Sequence, residues 1–208
     1  MNRRIAVLVS GGGRSLENLA ERIRARTLDC EIALVLSNAA DAGALQRAER
    51  LGIPRAVVPH REFRDAAEFS RRVFAEVERS GAELVVLAGF LRLLVIPDAW
   101  LGRVINIHPS LLPAFGGKGC WGHHVHESVL ARGVQFTGCT VHYVTNEYDA
   151  GPILLQRCLA VRPDDTADSL AARVFEEEKL ALPEAIELHL SGRVRLAGSR
   201  IARTRGAA

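Results

Sequence analysis

Residues 4–15 of the chain read RIAVLVSGGGRS, an apolar, β-branched run that stops at three glycines. The apolar run has no polar alternation, which is typical of a strand buried on both faces of a parallel sheet. Apolar residues then recur at helical spacing from Leu16 to Ile23. The sequence therefore predicts a strand over 4–10, a glycine turn over 11–13 and a helix over 15–26.

The alternation of strand and helix continues through the first half of the chain. Further strands are predicted over 31–37, 55–58, 84–88 and 104–107, and helices over 42–51 and 65–80. Such a series predicts an α/β fold: a doubly wound, open, mostly parallel sheet with helices on both faces, Rossmann-like in plan. After a predicted loop over 108–124, the pattern indicates a helix over 125–131, strands over 138–144 and 152–161, and a helical region over 166–190 that Pro183 kinks or divides.

Length and composition define the general class of protein. The chain has 208 residues, of which 48% are hydrophobic and 25% charged, and these fractions exclude disordered and collagen-like chains. We expect one domain over residues 1–190 and a basic C-terminal tail over 191–208. A frayed, solvated terminus is a simpler interpretation of this tail than contact with nucleic acid. Its arginines are Arg193, Arg195, Arg200, Arg203 and Arg205.

Charge, hydropathy and cysteine usage point to a cytoplasmic protein. No apolar stretch approaches the roughly 18 residues that a membrane-spanning helix needs. The first apolar run ends in Gly-Gly-Gly-Arg rather than a cleavage site, which argues against a signal peptide. A net charge of +3 is too small to indicate a nucleic-acid partner. The four cysteines lack CxxC spacing and are expected to be buried free thiols.

The glycine turn lies where a doubly wound fold places an anion site. Glycines let the backbone approach a phosphate, and the following helix start offers N–H groups and a positive dipole end. The candidate phosphate contacts are Gly11, Gly12, Gly13, Arg14 and Ser15. The pattern matches neither the GxGxxG fingerprint nor the P-loop. The alternative is a tight turn in which Ser15 is the helix N-cap.

A second polar cluster follows the predicted strand over 104–107. Asn106 and His108 are two residues apart, so in a strand they project to the same face, at the carboxyl end where open α/β sheets build their sites. An amide can donate to a developing oxyanion while an imidazole moves protons, which suits carbonyl chemistry. The alternative is a capping asparagine and a core histidine bonded to the backbone.

Four motifs resemble those of the folate-dependent formyltransferases. They are VLVSGGG at 7–13, VLAGFLRLL at 86–94, INIHPSLLPAF at 105–115 and GCTVHYVTNEYDAGPILLQ at 138–156, and the resemblance runs over about residues 5–186. It implies transfer of a formyl group from 10-formyltetrahydrofolate, as co-substrate, to the amine of glycinamide ribonucleotide in de novo purine biosynthesis. The implied route is direct attack through a tetrahedral intermediate without a metal.

The resemblance also implies roles for individual residues. The catalytic trio is Asn106, His108 and Asp149: the amide and a protonated imidazole stabilise the oxyanion, and Asp149 keeps His108 charged and helps to pass protons. Residues 11–15 bind the substrate phosphate, and Glu178 binds the ribose, although Glu176 and Glu177 adjoin it. His126 and His142 are supporting groups. The implied folate contacts are Leu91, Arg92, Leu93, Leu94, Val144, Thr145, Asn146, Glu147 and Tyr148.

Some positions depart from the family pattern. Arg14 and Ser15 replace a frequent Ser-Asn pair, and Tyr148 and Ala150 stand where smaller apolar residues and glycine are common. The glycine-rich segment 116–124 is longer than usual and is either a lid over the substrate or an ordered connection. His123, His124 and His126 suggest zinc, but no carboxylate or cysteine completes a convincing set, so no metal is expected.

Three alternatives to this transferase remain open. A hydrolase would direct water to the same formyl carbon, although known hydrolases of this type carry an additional N-terminal domain. Another formyltransferase would use a different primary amine. A catalytically silent folate- or nucleotide-binding protein would have no need of the trio at 106, 108 and 149. The expected partners are the two small-molecule substrates, with no nucleic acid and no membrane, in a monomer or homodimer.

Overall fold

The structure is a computed structural model that describes residues 3–197 and 200–203. It divides into two compact units, Met1–Ile105 and Asn106–Ala208. The single domain expected over residues 1–190 stays a prediction.

The first unit is a series of alternating strands and helices. Its strands are β1 (Arg4–Val9), β2 (Glu31–Ser37), β3 (Arg55–Val57) and β4 (Leu84–Leu87), and its helices are α1 (Arg14–Arg24), α2 (Gly43–Arg50) and α3 (Ala66–Ser80). The strands lie in the order β3-β2-β1-β4, and each adjacent pair is parallel. Every side chain of β1 from Ile5 to Val9 is fully buried, as its continuous apolar sequence predicts.

The second unit carries the antiparallel part of the fold. The chain passes into it through β5 (Val104–His108) and continues with α4 (His123–Arg132), β6 (Phe136–Tyr143), β7 (Ile153–Ala160) and α5 (Ala167–Leu190). The strands β6 and β7 pair antiparallel. One seven-stranded sheet has the order β3-β2-β1-β4-β5-β6-β7, which confirms the predicted α/β class with a mostly parallel sheet.

The C-terminal region differs from the prediction in two respects. Pro183 lies inside a single helix, α5, which begins with a capping box between Thr166 and Ser169. The frayed terminus expected beyond residue 190 is wrong for the described residues, because β8 (Val194–Ala197) and β9 (Arg200–Arg203) form an antiparallel pair. The pairing satisfies the backbone groups that the two strands direct at each other, and Val194 is buried. Arg205 lies outside the described residues.

Among residues 3–197 and 200–203, no helix has both the length and the apolar character that crossing a membrane requires.

Candidate active site

His108 is the last residue of β5, and its ring is almost completely buried. Its Nε2 atom lies 2.8 Å from the carbonyl oxygen of Phe115, so this nitrogen carries a hydrogen and donates it. A neutral imidazole has one N–H, and its Nδ1 atom therefore bears a lone pair. Nδ1 lies 3.7 Å from Oδ2 of Asp149. A proton gained by His108 thus arrives at Nδ1, directly opposite a carboxylate.

Asp149 lies in the loop between β6 and β7, at a left-handed backbone position with φ of 53°. Its Oδ2 accepts a hydrogen bond of 2.9 Å from the backbone N–H of Gly117. Burial raises the pKa of this carboxyl, but the adjacent His142 ring, the hydrogen bond from Gly117 and the charge of His108 outweigh burial and lower it. The carboxylate is therefore ionised at neutral pH.

The path of this loop depends on Gly151. A Cβ atom at Gly151 would lie 1.7 Å from the carbonyl oxygen of Tyr143, so only glycine lets the chain pass the end of β6 this closely. The close passage places Asp149 beside His142, with Oδ1 of the acid 3.5 Å from Nε2 of the ring. One short loop therefore supplies the acid and holds it against β6.

Asn106 is oriented by the buried side chain of His142. The Nδ1 atom of His142 lies 3.0 Å from the carbonyl oxygen of Tyr143 and donates to it. In the neutral ring Nε2 is then an acceptor, and the Nδ2 amide of Asn106 lies 3.1 Å away as its donor. The structure thus brings together all three predicted catalytic residues and His142.

The resting charge of His108 differs from the prediction. Burial lowers the pKa of His108 below 6.5, although the charge of Asp149 and the bond to Phe115 raise it. Desolvation outweighs the carboxylate because the ring loses nearly all its contact with water. The ring is neutral at neutral pH before substrate binds, and Asp149 favours its charging when a proton is delivered.

A hydrogen-bond network centred on the buried Thr140, which sequence reasoning missed, holds the chain between His108 and Phe115. The Oγ1 atom of Thr140 accepts from the N–H of Leu112 at 3.0 Å and donates to the carbonyl of Ser110 at 2.7 Å. Nε2 of Gln156 donates to the carbonyl of Leu112 at 3.0 Å. Thr140 and Gln156 face each other across β6 and β7. Both belong to the motif at 138–156, which was the only sequence signal of this role.

The glycine turn lies between β1 and α1 in the first unit. Gly13 is the N-cap of α1, with φ of 78° and no side-chain cap. The alternative in which Ser15 is the N-cap is therefore wrong: Ser15 lies one residue inside the helix, because the left-handed turn at Gly13 starts the helix earlier. Phosphate contact by residues 11–15 stays a prediction, and the helix start provides the N–H groups that such contact needs.

The predicted folate contacts fall in two segments with different exposure. Leu91 is 48% exposed and its N–H donates to Oγ of Ser10 at 2.8 Å, which ties this segment to the end of β1. Leu94 is buried in the core, so its side chain is not on the surface available to a ligand. The second segment, residues 144–148, lies in the Asp149 loop and ends with the exposed side chain of Tyr148.

The three successive glutamates of α5 have different surroundings. Glu176 pairs with Lys179 and Glu177 with Arg157, each at 2.8 Å. Glu178 is half-buried and lies near the thiol of Cys139. Burial, followed by the charges of Glu178 and Glu177, raises the pKa of Cys139 to about 12. Ribose binding by Glu178 stays a prediction.

The histidines of α4 divide into a surface pair and a buried residue. His123 and His124 both lie near Glu127, at 3.7 Å and 3.1 Å. Burial, followed by the charges of His123 and His108, lowers the pKa of His126 to about 4. Within the part of the chain that the structure describes, no group of three or more histidine, cysteine or acidic residues has an arrangement suited to a metal ion.

Comparison with known proteins gives the family. Residues 3–186 match the formyl transferase family model, and the chain belongs to that family. It is 43% identical over 195 residues to the trifunctional purine biosynthetic protein adenosine-3 of Gallus gallus, and the match covers 93% of this chain and 19% of that protein. The chain thus spans about a fifth of the trifunctional relatives.

Solved structures in the family have the same fold. A glycinamide ribonucleotide transformylase from Symbiobacterium toebii superposes with a TM-score of 0.91 at 37% identity, over 97% of this chain and 94% of that one. A formyltetrahydrofolate deformylase from Pseudomonas syringae pv. tomato superposes with a TM-score of 0.86 at 30% identity, over 99% of this chain and 67% of that one.

Proposed function

We propose that this protein transfers the formyl group of 10-formyltetrahydrofolate to the primary amine of glycinamide ribonucleotide, in de novo purine biosynthesis. The observation that carries the proposal is the cluster of Asn106, His108 and Asp149 in a member of the formyl transferase family. The names of the Gallus gallus and Symbiobacterium toebii relatives support purine biosynthesis and this acceptor.

In the proposed reaction the amine nitrogen attacks the formyl carbon, and the carbonyl electrons move onto oxygen. Asn106 has one amide hydrogen bonded to His142, and its second amide hydrogen serves as donor to the oxyanion. The amine loses a proton to the unprotonated Nδ1 atom of His108, directly or through water, and Asp149 stabilises the imidazolium that forms. The folate nitrogen gains a proton as its bond to the formyl carbon breaks, so the residues end as they began.

The binding roles form part of the same proposal. Residues 11–15 bind the ribonucleotide phosphate and Glu178 binds its ribose. The segments 91–94 and 144–148 bind the folate, with the pterin against backbone and apolar side chains. His126 and His142 support the catalytic groups. The protein acts as a cytoplasmic monomer or homodimer, which light scattering at assay concentration and cell fractionation test.

A second candidate reaction is hydrolysis of the same formyl group. The similarity to the deformylase of Pseudomonas syringae pv. tomato favours it, because water in place of the amine would meet the same residues. The two reactions differ only in the acceptor of the formyl group.

The deciding experiment measures folate absorbance with purified protein and 10-formyltetrahydrofolate, with and without glycinamide ribonucleotide. The proposal expects deformylation only with the ribonucleotide, and formylated ribonucleotide in equal amount by mass spectrometry. Deformylation in both samples would identify the hydrolase. Deformylation in neither, with tight calorimetric binding of folate, would identify a binding protein, and turnover with another amine alone would identify a different acceptor.

A further inference from the structure

The carbonyl groups of the glycine turn are held by the second helix of the same unit. The N–H of Ala44 donates to the carbonyl oxygen of Gly11 at 3.1 Å. The Nε–H of Arg47 donates to the carbonyl oxygen of Gly12 at 2.7 Å. Two successive peptide groups of the turn therefore direct their oxygen atoms towards α2.

Because peptide groups are planar, the two anchored carbonyl groups also fix the direction of the N–H groups of Gly12 and Gly13. In a trans peptide the N–H points opposite to the C=O of the same unit. The N–H groups of Gly12 and Gly13 therefore point away from Ala44 and Arg47. A Cβ built at Gly11 or Gly12 meets nothing within 4 Å, so the turn is open on its other sides.

Close packing and an ion pair keep α2 in place against the turn. A Cβ at Gly13 would lie 2.6 Å from Cβ of Ala44, which shows how closely the two segments approach. The guanidinium of Arg47 also pairs with Glu17 of α1. One side chain of α2 thus connects the turn with the helix that follows it.

We propose that Arg47 is a positioning residue for the phosphate of the acceptor: its Nε–H fixes the peptide between Gly12 and Gly13 so that the N–H of Gly13 faces the phosphate. This inference rests on the proposed function, in which residues 11–15 bind that phosphate. It assigns the effect to one hydrogen-bond donor and not to the positive charge of Arg47, because the atom that holds the turn donates to a backbone oxygen.

A pair of substitutions separates the donor from the charge. In Arg47→Gln the Nε2 amide stands at the same place along the side chain as Nε of arginine, so it keeps the donor and loses the charge. Arg47→Met has similar length and loses both. We expect Arg47→Met to raise KM for glycinamide ribonucleotide by about tenfold or more, with kcat within about twofold, since an interaction made equally in ground and transition states is lost. Arg47→Gln should keep KM within about threefold of the wild type.

A control variant, a binding titration and a second variant of the same ion pair complete the test. Arg50→Met, at an exposed position of the same helix, is the matched control and should leave KM unchanged. In calorimetric titrations, ribose 5-phosphate should bind Arg47→Met more weakly than it binds Arg47→Gln and the wild type. KM for the folate should be the same in all three proteins. If Arg47→Met folds poorly, Glu17→Gln, which weakens the hold on the guanidinium, should raise KM for the ribonucleotide by a few fold.

The outcomes distinguish this inference from the function on which it rests. Equal loss of ribonucleotide affinity in Arg47→Gln and Arg47→Met would show that the charge of Arg47 is what matters and overturn the inference. So would unchanged KM in Arg47→Met, with wild-type turnover intact. A wild-type protein without formyl transfer to the ribonucleotide would reject the proposed function itself.

Discussion

The Nδ1 atom of His108 faces Oδ2 of Asp149 at 3.7 Å, while Nε2 of the same ring donates to the carbonyl of Phe115. The backbone bond leaves only Nδ1 free to change its protonation. Burial keeps the pKa of His108 low at rest, and the adjacent carboxylate limits the cost of charging the ring. The pairing of His108 with Asp149 thus suits a histidine that gains a proton during the reaction and then returns it.

Removing the charge of Asp149 tests this pairing. We expect Asp149→Asn to lower turnover by at least ~10²-fold, because the imidazolium of His108 loses its carboxylate. His108→Ala should have an effect of the same order. The measurement is kcat with both substrates, and Asp164→Asn, at an exposed position of the same unit, is the control. Near-native kcat in either active-site variant would contradict the assigned roles.

Two threonines of β6 make a matched stability test. Thr140→Val should destabilise the protein by about 1–3 kcal/mol, because the buried N–H of Leu112 loses its acceptor. Among the described residues, the Oγ1 atom of Thr137 is buried without a hydrogen-bond partner, so Thr137→Val should be neutral or stabilising. Urea unfolding measures both. Equal destabilisation would contradict the network around Thr140.

Acid should destabilise the protein partly through His126. The pKa of His126 is about 4 in the folded protein and ordinarily 6.5. Between these two pH values the unfolded state therefore binds a proton at His126 and the folded state does not. The contribution of the neutral ring is complete above pH 6.5 and is lost as the pH falls towards 4, by about 3 kcal/mol in total. His126→Gln should flatten the curve of unfolding free energy over this range, as measured by urea unfolding at a series of pH values. An unchanged slope in this variant would contradict the assignment to His126.

Gly151 should not accept any side chain. Gly151→Ala would place Cβ 1.7 Å from the Tyr143 carbonyl, so the Asp149 loop must move or the hairpin must open. We expect a marked fall in melting temperature together with loss of turnover. Gly43→Ala, whose Cβ would meet its nearest atom at 3.5 Å, should melt like the wild type. A Gly151→Ala protein that retained both properties would contradict the described path of the loop.

The elements of the first unit were largely predictable because their signals are local. The apolar run at 4–10 became β1 and the predicted strand over 31–37 has the bounds of β2. The strands at the C-terminus were missed because short strands rich in arginine have no strong local pattern, and their pairing forms only in the folded chain. Pro183 was expected to kink the helical region or divide it, and it does not divide α5, because buried contacts override the propensity of one residue.

The sequence predicted the parts of the site that are side chains within a recognisable motif. It did not predict the backbone groups that hydrogen-bond to those side chains. Asn106 and His108 were marked by strand spacing, and Asp149 entered through the family resemblance. The carbonyl of Phe115 and the N–H of Gly117 have no sequence signal, since every residue carries such groups. The neutral resting state of His108 depends on burial, which no local pattern specifies.

The hairpin of β6 and β7 has an evolutionary consequence. His142 lies near the end of one strand and Asp149 in the loop that follows, so the acid and its neighbour come from one contiguous stretch. A chimaera that exchanges residues 144–152 transfers the acid, its left-handed backbone and the adjoining glycine together, between two strands that stay in place. The surroundings of His142 can therefore be altered by replacing one short loop, without a change to the sheet.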